Sequence, residues 1–164
     1  MKAKPKGLDR PSTRRVIKVM SRVNTRLYRA TGGRIGKSWR IGAGFRKPVP
    51  ICLLTTTGRK TGQPRTVPLC FLQNGKEVVL VASQGGLPTN PQWYYNIASD
   101  PAVHIEVGKY RSDYLARVAT SEERAHLWPR LVDMYADYAA YQSWTDREIP
   151  VVICEPVDSP SKVR

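Results

Sequence analysis

The sequence predicts a mainly β (α+β) fold: an antiparallel barrel or sandwich of about six strands, with short helices and a basic N-terminal helix. Three observations carry this. Six short apolar or alternating runs follow Pro48, separated by turn residues. The helical stretches between them are too short and too few for a parallel βαβ sheet. No G-x-G-x-x-G follows a strand and no G-x-x-x-x-G-K-[ST] occurs, which removes the Rossmann and Walker nucleotide readings.

Composition agrees with one domain and an arm. The 164 residues are 41% hydrophobic and 24% charged, a globular balance. The net charge of +14 sits entirely in residues 1–50, which hold 15 Lys/Arg and the single acid Asp9. Residues 51–164 hold 12 of each sign. A uniformly basic ribosomal-type chain is thereby disfavoured, and the basic surface belongs to the arm. No run reaches the roughly 18 apolar residues of a spanning helix, and no apolar stretch of a secretory signal follows the basic start. A cytoplasmic location is expected.

The expected organisation is an arm over residues 1–47, a barrel over 48–157 and a polar tail over 158–164. Residues 1–11 read as disordered. A helix capped by Ser12 or Thr13 then carries Val16, Val19, Met20, Val23 and Leu27 on one side. Arg14, Arg15, Lys18, Arg22, Arg26 and Arg29 line the other side, and Gly32-Gly33 ends the helix. Residues 32–47 read as a linker.

Strands are expected over 49–56, 66–72, 77–83, 103–107, 110–119 and 149–154. Asn74-Gly75 is a hairpin signal. The nearly all-apolar run 77–83 reads as a central strand, and Pro150 places the last strand at an edge or marks its start. Residues 91–99 suggest a short helix. Thr120 and Glu123 form a capping box for a helix that Pro129 should break or kink, with a second piece running to about Tyr141.

Several groups could carry chemistry. Arg59, Lys60 and Arg65 stand in a Gly-flanked turn, Gly58 to Arg65, which is either an anion cradle or a solvated hairpin tip. Trp93-Tyr94-Tyr95 cannot all face a core from one helix side, so one or more either faces a planar ligand or covers a barrel end. Tyr135, Tyr138 and Tyr141 repeat at i, i+3, a pattern of core or of pocket. The polar-aromatic block 141–147 reads as a pocket rim or lid. Cys52, Cys70 and Cys154 lie in apolar runs and read as reduced, buried thiols. His104 and His126 are isolated, so no metal site is expected.

Four motifs together resemble the deazaflavin (F420)-dependent nitroreductase family of actinobacterial reductases. They are Leu53-Leu54-Thr55-Thr56-Thr57-Gly58-Arg59-Lys60-Thr61-Gly62-Gln63-Pro64-Arg65; Val81-Ala82-Ser83 before Gly85-Gly86; Asn90-Pro91 with Trp93-Tyr94 and Asn96; and Tyr141-Gln142-Ser143-Trp144-Thr145-Asp146-Arg147. The resemblance covers residues 47–157 and implies a split β-barrel of the FMN-binding type that holds coenzyme F420. It implies that Arg59, Lys60 and Arg65 hold the anionic tail of phosphate and glutamates. Pro68 and Leu69 would lie along the deazaflavin, and Ser83, Gln84, Trp93 and Asn96 would border the coenzyme. Tyr135, Tyr138, Tyr141 and Cys70 would face the substrate, with Ser83 and Tyr138 assisting catalysis. The implied reaction passes a hydride to a quinone, a nitro compound or an activated alkene. The chain departs from the pattern at Val67, Cys70 and Gln84, where the resemblance leads one to expect a polar residue, an aromatic and a lysine. The last change removes one cation.

Three other readings compete: an FMN oxidoreductase of the same fold, a non-enzymatic coenzyme carrier, and a nucleic-acid-binding protein using the arm. A neutral body without a base-reading motif argues against nucleic acid as a partner. The amphipathic arm helix either packs on the barrel or lies on an anionic membrane, peripherally on its cytoplasmic face. A monomer and a homodimer both remain compatible with the sequence.

Overall fold

The computed structural model describes residues 11–39 and 47–157. The expected disordered start, residues 40–46 of the linker and the tail lie outside this range, as do the side chains of Arg14, Arg15, Val16 and Lys18. In chain order the elements are α1 (Pro11–Ala30), β1 (Ser38–Trp39), β2 (Val49–Thr57), β3 (Pro64–Asn74), β4 (Glu77–Val81), a 3₁₀ turn (Gln84–Gly86), α2 (Gln92–Ser99), β5 (Ala102–Val107), β6 (Tyr110–Val118), α3 (Ser121–Met134), α4 (Asp137–Ser143) and β7 (Val151–Pro156).

Six strands close a barrel in the order β2-β3-β4-β7-β6-β5, and β5 returns to β2. Every pairing is antiparallel, and the two-residue β1 adds to the start of β2. Closure decides between barrel and sandwich. It also settles β7, which lies between β4 and β6, so Pro150 marks a strand start and not an edge.

Alternation along the strands sorts the apolar residues onto two faces. Cys52, Leu54, Phe71, Val78, Leu80, Val103, Ile105, Ala116, Val152 and Cys154 fill the interior, where Trp93 and Ile97 of α2 join them. On the outer face, Val79, Val81, Val151 and Ile153 pack under Leu127 and Leu131 of α3 and under Tyr135 and Tyr138. A third, smaller cluster places Ile51 and Leu53 of β2 beneath Tyr28 of α1.

Thr120 and Glu123 form the expected capping box. The Glu123 N–H donates to Thr120 Oγ1 at 3.2 Å, and the Thr120 N–H donates to Glu123 Oε2 at 2.8 Å. Pro129 does not break the helix: α3 runs through it, and the break falls at Tyr135, in extended conformation. Pro129 is exposed, while Leu127 and Leu131 on either side of it are buried against the sheet. Packing on both sides thus offsets the roughly 3 kcal/mol cost of an interior proline.

The C-terminal turn of the arm helix docks on the barrel through Tyr28. Tyr28 is buried, yet Val19, Met20, Val23 and Leu27 are between 44% and 60% exposed. These four residues of the apolar stripe are therefore not buried against the barrel.

Candidate functional site

The basic turn between β2 and β3 is held by its own backbone. Gly58 N–H donates to the Gln63 carbonyl at 2.9 Å, and the Thr61 and Gly62 N–H groups donate to the Gly58 carbonyl at 3.0 and 2.7 Å. Asn96, buried on α2, fixes this turn to the barrel end. Its Oδ1 accepts from the Arg59 N–H at 3.2 Å, and its Nδ2 donates to Thr56 Oγ1 at 3.0 Å. Arg59 is braced further by Gln92 Oε1 at 2.9 Å and by the Tyr95 ring, whose centroid lies 5.2 Å from its guanidinium carbon.

Beside this turn lies a cleft of about 580 Å³. Arg59, Lys60 and Arg65 line it together with Trp93 and Asn96, so five of the expected coenzyme residues meet in one place. Val67 and Gln92 also line it, and so does Arg22, reaching in from the arm helix. Four cations and no carboxylate face the cleft among the described residues. Neither Lys60 nor Arg22 has a hydrogen-bond or ion-pair partner among those residues. Cations with no facing carboxylate are the chemistry a multiply anionic ligand needs, so the side chains lining the cleft fit a phosphate- and glutamate-bearing coenzyme tail.

The remaining expected site residues are not among those lining this cleft. Pro68, Leu69 and Cys70 continue along β3; Leu69 packs toward the barrel interior, and Cys70 toward the outer clusters. Burial pushes the Cys70 thiol up to about 12, partly countered by a hydrogen bond with Tyr138. Tyr138 is only 4% exposed and belongs to the outer cluster, with Tyr135 edge-on at 5.1 Å between ring centroids. The Tyr135 and Tyr141 hydroxyls are 3.2 Å apart. Burial raises the pKa of Tyr138 well above the usual phenol value, so its hydroxyl stays protonated.

Ser83 precedes the 3₁₀ turn and is partly exposed. Gln84 takes φ 48°, a left-handed conformation rare for a residue with a Cβ, and its Nε2 donates to Thr89 Oγ1 at 3.1 Å. Gly86 follows at φ 74°, where an added Cβ would lie 2.8 Å from the Tyr141 carbonyl oxygen. The sequence did not reveal what holds this turn. Arg147 donates to the carbonyls of Leu87, Ala82 and Ser83 at 3.0, 3.1 and 2.9 Å and to Asn90 Oδ1 at 2.7 Å. Gln142 Nε2 donates to the Arg147 carbonyl at 2.8 Å, and Gln142 Oε1 accepts from the Ile149 N–H at 2.9 Å. Within the block 141–147, Gln142 and Arg147 thus act as a clamp across the chain.

Comparison with known proteins gives concordant findings. A family model described as F420H(2)-dependent quinone reductase matches residues 20–156. A provisionally named F420H(2)-dependent quinone reductase of Mycobacterium tuberculosis is 50% identical over 117 residues, covering 71% of this chain and 98% of its own. A second protein of that organism, named F420H(2)-dependent quinone reductase, is 40% identical over 137 residues, covering 80% and 87% respectively. Among solved structures, an F420-H2 dependent reductase, FDR-A, is similar with a TM-score of 0.61 and 45% identity, covering 65% of this chain and 94% of that one. A domain-swapped dimer is similar with the same TM-score and 39% identity, covering 80% and 98%.

Proposed function

The chain belongs to the F420H(2)-dependent quinone reductase family, and on that footing we propose that it binds F420H2 by its anionic tail in the cation-lined cleft and reduces a quinone. The observation that carries this reading is the convergence of Arg59, Lys60 and Arg65 on one cleft with no opposing carboxylate among the described residues. The bound coenzyme supplies a hydride; one further proton completes the hydroquinone. The protein's part is to bind, orient and stabilise. Lys60 and Arg65 hold the tail. Asn96 fixes the turn that presents them, and Trp93 borders the coenzyme. Tryptophan fluorescence titration with F420 and, separately, with FMN tests the assignment. Saturable binding of F420 with none of FMN is expected, together with quinone-dependent loss of F420H2. Tight FMN binding without F420 binding would overturn it. Nitro compounds and activated alkenes are further acceptors to be run in the same assay.

Hydride addition to a quinone builds negative charge on oxygen, which a nearby hydroxyl stabilises. We assign that role to Ser83, on the strained turn, and to the protonated Tyr138, with Tyr135, Tyr141 and Cys70 as the surrounding acceptor region. Ser83→Ala and Tyr138→Phe should each lower turnover about tenfold or more while leaving coenzyme affinity unchanged. Full turnover in both variants with every acceptor would remove the assignment and leave Tyr138 a core residue.

No described helix is long and apolar enough to cross a membrane. The exposed stripe of α1 instead suits peripheral attachment to an anionic membrane, where quinones dissolve, since the exposed Arg26 flanks its exposed apolar residues. Co-sedimentation with anionic but not neutral vesicles is expected, weakened by salt and lost on removing residues 1–31. Equal behaviour of the full and shortened chains would refute it. The similar domain-swapped dimer supports a homodimer as the assembly.

A further inference from the structure

We propose that the arm helix is a wall of the coenzyme cleft: Arg22 is a fourth cation for the anionic tail, and a latch of Tyr28, Arg29 and Glu106 positions it. The proposal rests on the coenzyme reading of the cleft and adds to it a segment that sequence alone leaves as a packing or membrane element.

The latch lies at the C-terminal turn of α1. Tyr28 is 1% exposed. Its hydroxyl oxygen accepts from the Gly108 N–H at 2.6 Å, and its O–H donates to the Ile51 carbonyl at 3.2 Å. One residue on, Arg29 donates to Glu106 Oε1 from Nε at 2.8 Å and from Nη2 at 2.6 Å. The Glu106 side chain is only 4% exposed, and its other oxygen lies 3.3 Å from Arg111 Nε. A carboxylate that deep in a barrel wall is stable only when paired, so Glu106 makes a firm anchor for the arm. Gly33 completes the joint. It stands at φ 79°, and an added Cβ would come within 2.5 Å of the Gly108 Cα. A side chain there would push the two segments apart.

The latch also touches the cleft. Arg29 Nη2 donates to Thr66 Oγ1 at 3.3 Å, and Thr66 is itself a lining residue. Arg22 precedes Tyr28 by six residues, about 9 Å along a helix at about 1.5 Å per residue. An anchored helix end therefore fixes where the Arg22 guanidinium stands relative to Lys60 and Arg65. Its positive charge then adds to a tail site already formed by the turn.

The test measures binding of intact F420 and of its tail-less deazaflavin core. Arg22 is exposed, so Arg22→Ala should leave the fold intact. It should weaken F420 binding about fivefold at low salt, less at high salt, and leave the tail-less core unaffected. Arg22→Lys should recover most of the loss. Glu106→Gln, or Arg29→Ala should that variant fail to fold, should weaken F420 binding about threefold. The loss should vanish in an Arg22→Ala background, because latch and cation then act through one contact. Additive losses would make Glu106 a purely structural residue and overturn the latch. Unchanged F420 affinity in Arg22→Ala, with a clear loss in Lys60→Ala/Arg65→Ala, would overturn the arm's role and leave the coenzyme reading standing. No loss in any of these variants would overturn the reading itself.

Discussion

Arg147→Ala is expected to lower the melting temperature by roughly 6–15 °C. The half-buried guanidinium serves four acceptors at once: three carbonyls around the Gln84–Gly86 turn and Asn90 Oδ1. Desolvation by burial lowers its pKa, with Tyr95 and Tyr94 acting in the opposite direction. Bonds from a charged donor are worth about 1.5–3 kcal/mol each, and because they share one side chain the combined loss is nearer 3–4 kcal/mol than their sum. Alanine would strand those carbonyls beside left-handed backbone at Gln84, Gly85 and Gly86. Arg147→Lys should recover less than half, since one ammonium cannot span four acceptors in the guanidinium's plane. Thermal melts and hydrogen exchange at Gly86 and Leu87 check this. A shift under about 2 °C would mean that water satisfies the same groups at no cost.

The parts of the fold legible in the sequence are those that short-range chemistry decides. Thr120 and Glu123 need only each other to cap α3. The Asn74-Gly75 signal marks the hairpin from β3 to β4, where Gly75 accepts a φ of 61° just after Asn74, the last residue of β3. Along β5, Val103 and Ile105 point inward as their alternation requires. The misreadings come from contacts made at a distance. Glu106 alternates with Val103 and Ile105, yet it is buried and pairs with Arg29, 77 residues away in the chain. Pro129 reads as a break or kink, and with the sheet beneath Leu127 and Leu131 the helix runs through it unbroken.

The site divides the same way. Arg59, Lys60 and Arg65 are neighbours in sequence, so their clustering could be read directly; Trp93 and Asn96 reach the same cleft because α2 crosses the end of the barrel. Arg22 carried no separate signal, being one of six cations on the arm helix. Only the depth of Tyr28 and the pairing of Arg29 with Glu106 show which side of the helix meets the barrel. Arg147 lay inside a recognised block, but its role depends on backbone carbonyls some 60 residues earlier in the chain. No local pattern reports that.

Lys60→Ala/Arg65→Ala should weaken F420 binding by more than tenfold. Both side chains line the cleft on an exposed turn whose shape depends on Gly58, Gly62 and Asn96, so the double variant should fold normally. Two charge-assisted contacts at about 1.5–3 kcal/mol each would cost several kcal/mol in a buried site. Exposure and salt reduce that figure, and even half of it exceeds one factor of ten. The loss should shrink as ionic strength rises, because the tail is held by charge. Turnover at saturating coenzyme should stay near that of the parent, since these cations grip the tail equally before and during hydride transfer; the effect therefore appears in KM and not in kcat. Arg59 is the informative control. Gln92 and Tyr95 already engage its guanidinium, so Arg59→Ala disturbs the wall of the cleft as well as its charge. Unchanged affinity in the Lys60/Arg65 double variant would show that the turn is a solvated hairpin tip and that the coenzyme is held elsewhere.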